Sequence, residues 1–391
     1  MILALTSQRF TRSIACTSLE CDEDATSNVT SPTTRGVPPT ESVSTDEDTR
    51  SSTTLHASRP RFIALARPIM LVLLALVITM TMQRWVGVET IYAPESAARR
   101  EAVHKYILEN RLPAGVQWYP DLGARGANVR IAAIYIAEAM RRTFGMDLAR
   151  AELILDTVAL VASLLLLFAY LRGRFGDVYA TLGLLFFASV LPLTYALHYY
   201  HPWDRLSLLA WIGLLLLLDS GRIGWFAVLL VLSISIKYDT VLLPGLYWLS
   251  QVTRENWRRT TVVTALMFSI SFGTFALLRI IRPGGFDPLP LAPLLATTFE
   301  DFRSMWMAYP PALGFAIPLV LTAIGFSSAE RFSRASAVFG VFLFVPFLVA
   351  SNFAEFRAEV PILLLLLPCT LRGLQILLGE DLRAQRPLLS R

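Results

Sequence analysis

The sequence is poor in charge. Asp, Glu, Lys and Arg make up only 17% of its 391 residues, against about a quarter in an ordinary soluble domain. Cysteine is scarce too. Cys16, Cys21 and Cys369 are neither a disulfide framework nor a metal cluster. Two of them sit in a polar tail with no histidine close in sequence, which argues against zinc there. There is no glycine-rich phosphate loop, no dinucleotide-binding glycine pattern, no zinc-protease motif and no nucleophile elbow. The enzyme classes that those motifs mark are therefore not indicated. No internal repeat is visible either.

Apolar residues are abundant instead. They make up 54% of the chain, and the mean hydropathy is +0.52. Apolar runs approaching the length of a membrane span, about 20 residues, recur from Phe62 to Leu378. This excludes a soluble enzyme, a disordered chain and a fibrous one. The expected fold is all-α, a polytopic helical membrane protein, with the lipid bilayer as a partner. The net charge of +5, from 35 basic and 30 acidic residues, then reads as membrane topology and not as nucleic-acid binding.

Three regions are expected. Residues 1–58 are dense in Ser, Thr, Asp and Glu from Asp22 onward. They have too few large apolar residues to bury a core, so they read as a disordered cytoplasmic tail. Met1 to Leu5 is too short for a signal-peptide core, and the acidic run at 22–24 does not suit a transit peptide. The sequon at Asn28 is expected to lie in the cytoplasm, where it is a chance match. Residues 59–380 form the transmembrane domain, including a long outer loop at 84–150. Residues 381–391 are a basic cytoplasmic tail.

The charges flanking each span set its direction. Arg59, Arg61 and Arg67 precede a first span at about 62–83, which places the N-terminus inside. Further spans follow at about 151–171, 177–197 and 203–218. The stretch 223–252 has basic residues at both ends, so both ends read as cytoplasmic. It is expected to form two short helices, about 223–236 and 240–252, with Lys237-Tyr238-Asp239 at the outer turn. A single straight helix burying Lys237 and Asp239 is the alternative. Spans at about 260–280, 312–326, 336–350 and 360–378 complete about ten crossings. Both termini are then inside, and a bacterial inner membrane is the expected location. A short surface helix is expected around Thr298–Met307.

The outer turns gather a mixed set of charged residues. They include Glu89, Asp121, His201, Asp204, Arg205, Lys237, Asp239, Glu355 and Arg357. Ionisable groups at the membrane boundary that face inward are functional candidates by default. In His198-Tyr-Tyr-His-Pro-Trp-Asp-Arg205, helix starting and an aromatic belt explain Pro202, Asp204, Tyr199, Tyr200 and Trp203. Arg205 is left over. A cation in a first helical turn is disfavoured by the dipole and needs an anion, either Asp204, Asp239 or a phosphate. A metal at His198, His201 and Asp204 is a weaker option, and no cofactor is indicated. Lys237 and Asp239, two apart, would face different partners on a helix, with Glu355 and Arg205 as candidates. Arg357 and Arg205 suit bidentate phosphate binding.

Two stretches of the outer loop read as interface helices. Residues 128–144 place Arg130, Glu138, Arg141 and Arg142 on one arc, with Val129, Ala132, Ile136 and Met140 opposite. Residues 95–109 set Ala98, Ala102, Val103 and Tyr106 against Arg100, Glu101 and His104.

This layout resembles the GT-C superfamily of integral-membrane glycosyltransferases over about 62–378. The resemblance rests on Glu89 just after the first span, on the two interface-helix candidates and on the outward basic residues. It implies that a loop carboxylate, Glu89 with Asp121 as second candidate, deprotonates an acceptor hydroxyl. It also implies that Arg205, Lys237 or Arg357 binds a polyprenyl-phosphate-linked sugar. The acceptor, whether glycan, lipid or protein, is not legible. The chain is also similar to bacterial membrane proteins that carry His-Pro-Trp-Asp and Lys-Tyr-Asp patterns. A lipid or small-molecule transporter and a non-catalytic membrane scaffold are the competing readings.

Overall fold

The structure is a computed structural model that describes residues 61–85, 94–110, 129–193, 203–282, 310–350 and 360–379. The described residues are helical, with no strand among them. The first half of the chain gives α1 (Arg61–Trp85), α2 (Pro94–Glu109), α3 (Ile131–Phe144), α4 (Leu148–Leu193) and α5 (Asp204–Asp219). The second gives α6 (Ile223–Ile236), a 3-10 turn (Tyr238–Leu242), α7 (Pro244–Gln251), α8 (Trp257–Ile281), α9 (Pro310–Phe326), α10 (Arg331–Ala350) and α11 (Val360–Leu377). Three of these, α4, α8 and α11, are long and apolar enough to cross a membrane. The surface helix expected around 298–307 lies outside the described residues.

α4 is two arms. Gly176 has φ +74° and ψ −179°, a conformation open almost only to glycine. The chain folds back there. Leu171 packs directly on Gly183, and Arg172 Nε meets Asp177 Oδ1 at 2.6 Å across the break. The break falls between the two apolar runs at 151–171 and 177–197.

α11 is the central post. Every residue from Val360 to Leu371 is buried, against α9, α10, α4 and α5. α8 is at the rim, where Val262, Leu266 and Ile280 are exposed. An apolar helix with such an exterior is at ease in hydrocarbon and ill suited to water. The α9–α11 crossing is very close. A Cβ at Gly373 would stand 2.0 Å from the Leu321 carbonyl oxygen, and one at Gly325 would stand 2.2 Å from that of Cys369. Small residues let membrane helices approach in this way.

The 223–252 stretch divides as expected. α6 ends at Lys237, whose φ of −158° and ψ of 125° are extended, and the 3-10 turn follows. The chain then descends antiparallel to α8. Tyr238 lies against Phe275 at 5.5 Å between ring centroids. Gly245 faces Phe268, and Trp248 Nε1 donates to Thr261 Oγ1 at 3.1 Å. A single straight helix is excluded.

One end of the bundle is tied by Arg174. Its guanidinium bonds Asp219, Glu330 Oε2 at 3.1 Å and Ser333 Oγ at 3.1 Å. It also lies 5.0 Å over the Tyr170 ring and 5.2 Å over Phe332. One side chain thus joins the ends of α5 and α10 to the turn of α4. The opposite end carries a different kind of polar layer.

Candidate functional site

That layer is built from the start of α4, the start of α5 and the α6–α7 turn, with α2 and α3 laid over it. Glu152 and Asp156 are one turn apart on α4 and share a face. Glu152 is 2% exposed, and its Oε2 lies 3.7 Å from Arg100 Nε of α2. Asp156 Oδ1 lies 3.8 Å from Nε of Arg205, which is 1% exposed. These are ion-pair distances longer than a hydrogen bond.

His104 of α2 stands between two carboxylates. Its Nε2 is 3.1 Å from Glu138 Oε2 of α3, and its Nδ1 is 4.0 Å from Glu152 Oε1. The short contact assigns the proton to Nε2. Burial pushes the His104 pKa down from the ordinary value, against the pull of Glu138. Glu138 is held below the usual carboxylate range by the hydrogen bond from Arg142 and then by the one from His104. Arg142 Nε donates to Glu138 Oε1 at 2.6 Å, and Arg141 Nε is 3.4 Å from Oε2.

Deeper in the layer, Asp204 and Lys237 line one narrow cavity with Ser207, Trp211 and Pro361. It has room for little more than a water molecule. Lys237 Nζ is 3.5 Å from Asp239 Oδ2, and Trp211 Nε1 donates to Asp239 Oδ1 at 3.4 Å. Arg130, just before α3, lies 5.0 Å over both the Trp203 and Tyr238 rings and donates to Tyr238 Oη at 3.3 Å. Arg282, after α8, bonds the Ile107 carbonyl of α2 and donates to Tyr135 Oη of α3 at 2.7 Å. The two overlying helices are therefore fastened from both flanks.

Asp204, Arg205, Lys237 and Asp239, the candidates within the described residues, meet at this end. Glu89, Asp121, His201, Glu355 and Arg357 lie outside the described residues. Two expectations are corrected. Lys237 and Asp239 pair with each other, because extended backbone at Lys237 removes the helical geometry that would hold them apart. Arg205 also has Asp156 of α4 beside it, a carboxylate outside the set expected for it. The faces of the two overlying helices are reversed in part. Arg100, His104 and Glu138 turn inward with Ile134, while Tyr135 and Ile136 are exposed. Charges that partner one another bury more readily than the arc of an isolated helix suggests.

Arg100, His104, Arg130, Glu138, Glu152 and Asp156 were not singled out as site residues. One signal was available. Two carboxylates, one turn apart, interrupt an otherwise apolar run, and such groups mark a site by default. Among the described residues, no group of three or more His, Cys, Asp and Glu side chains is placed to hold a metal ion. No family model, no curated protein and no solved structure matches this chain.

Proposed function

We propose that this chain is a GT-C-like membrane glycosyltransferase of about ten spans. In this reading it moves a sugar from a polyprenyl-phosphate donor to an acceptor at the outer face of a bacterial inner membrane, and both termini are cytoplasmic. The observation that carries the reading is the roofing of a buried, cation-bearing layer by two short helices, with Arg205 and Lys237 inside it. Lys237 and Arg205, with Arg357, take the donor phosphate and stabilise the charge that develops on it. Glu89 or Asp121 deprotonates the acceptor hydroxyl. That oxygen attacks the anomeric carbon, and the lipid phosphate leaves with inversion. Donor binding must widen the cavity between Asp204 and Lys237.

Native mass spectrometry of the purified chain tests this. The wild type is expected to retain a polyprenyl phosphate, and Lys237→Gln and Arg357→Ala are expected to lose it. A wild type free of such lipid, or lipid indifferent to both changes, overturns the reading. The transporter reading has one observation in its favour, the carboxylates Glu152 and Asp156 inside an apolar helix. It predicts solute flux into proteoliposomes that stops in Asp156→Asn.

A further inference from the structure

The route from the rim of the bundle to its buried acids runs through one imidazole. Glu138 lies just inside the rim, hydrogen-bonded to Arg142, whose side chain is 76% exposed. His104 is buried with one nitrogen toward Glu138 and the other toward Glu152. Among the described residues, neither Glu152 oxygen nor His104 Nδ1 has a hydrogen-bond partner. Glu152 leads on to Asp156 one turn below, and Asp156 to Arg205. A histidine held only for structure needs one good partner. Here its second nitrogen is directed, without a hydrogen bond, at a buried carboxyl group.

We infer that His104 is a proton relay between Glu138 just inside the rim and the buried Glu152 carboxyl. In the outward step the O–H bond of Glu152 breaks and Nδ1–H forms. Nε2–H breaks at the same time, and the proton joins Glu138. The imidazole stays neutral and changes tautomer, and Glu152 is left as carboxylate beside Arg100. The step requires the Glu152 side chain to rotate and close the 4.0 Å gap to Nδ1. Glu138 is held below the usual carboxylate range, so the proton it receives passes to water beside Arg141 and Arg142. The inward step reverses each transfer. The charged groups facing the relay are Arg100 and Glu101 on α2, Glu138, Arg141 and Arg142 on α3, Glu152 and Asp156 on α4, and Asp204 and Arg205 on α5. The inference does not depend on what the cavity binds.

The test uses the full chain in phosphatidylcholine nanodiscs with nitrogen-15 histidine. The chain has four histidines, and His104→Gln identifies the His104 signals by their loss. The wild type is expected to show both neutral tautomers of His104, as averaged or as paired nitrogen signals, between about pH 6 and 8. Glu152→Gln is expected to leave the Nε2–H form alone. A wild-type His104 in a single fixed protonation state across that range overturns the relay, whether or not the Glu152 variant folds. Two tautomers that persist unchanged in a folded Glu152→Gln also overturn it.

Discussion

Replacing Gly373 by alanine tests the α9–α11 crossing. The added Cβ would sit 2.0 Å from the Leu321 carbonyl oxygen and 3.2 Å from the Gly325 nitrogen. A carbon and a carbonyl oxygen pack at about 3.3 Å or more, so the helices must part by roughly 1.3 Å. Thr322 Oγ1 and Thr370 Oγ1 stand 3.1 Å apart across the same crossing, and that separation breaks their hydrogen bond. Overpacking of this kind costs about 1–3 kcal/mol. A hydrogen bond between membrane helices contributes roughly 0.6 kcal/mol. The helix preference for alanine returns up to about 1 kcal/mol. The net loss is about 2 kcal/mol, or roughly 30-fold in the folding equilibrium. Denaturation with increasing sodium dodecyl sulfate reads this directly. Gly273→Ala is the control, since nothing among the described residues lies within 4 Å of its added Cβ, and it is expected to match or exceed the wild type. If Gly373→Ala unfolded with the control, close approach of α9 and α11 at this point would be refuted.

Gly176→Ala meets no neighbour within 4 Å among the described residues, so backbone strain is what counts, and a loss of about 1–3 kcal/mol is expected from the same denaturation. Arg174→Ala strips the tie between α4, α5 and α10 and is expected to cost about 2–3 kcal/mol. Arg174→Lys should recover only part, because an ammonium cannot bond three groups and lie over two rings together. Asp239→Asn leaves Lys237 charged and poorly matched, with an expected loss of about 3 kcal/mol. Protection of the α2 and α3 amides, corrected for the intrinsic exchange rate at each pH, should fall on acidification. The folded forms are neutral His104 and ionised Glu138, both with pKa values lowered from 6.5 and 4.5. Their stabilisation is complete above about pH 6.5 and falls as pH drops through the lowered His104 value, then further below 4.5 as Glu138 takes its proton. Protection that stays flat from pH 7 to pH 4 after that correction would contradict this.

Much of the helical framework was legible because each apolar run carries its own boundary signals. Arg222 and Arg254 bracketed 223–252 and pointed to a reversal, and the helix does break at Lys237. Arg172 and Arg174 likewise marked the turn at Gly176. The inward faces of α2 and α3 were not legible. Periodicity ranks a face by polarity, and His104 with Glu138 is polar to that measure yet buried once the two meet. The pairing of Lys237 with Asp239 was hidden for another reason. It depends on one extended residue, and no helical spacing rule describes that. Glu152 and Asp156 were visible as charges in an apolar run, but only their distances to Arg100 and Arg205 make them part of a site.

Arg282 has a consequence for how the chain is made. It secures Ile107 and Tyr135 from positions 175 and 147 residues later in the chain. At about 5–20 residues per second, α2 and α3 are synthesised on the order of ten seconds before that clamp exists. During that interval the roof is held only by contacts to elements already made. A ribosome-stalled chain ending before residue 282 should therefore expose α2 and α3 to protease, and one ending well beyond it should protect them. The order of synthesis thus places the fastening of the roof by Arg282 well after α2 and α3 are made, yet before the central post α11 is added.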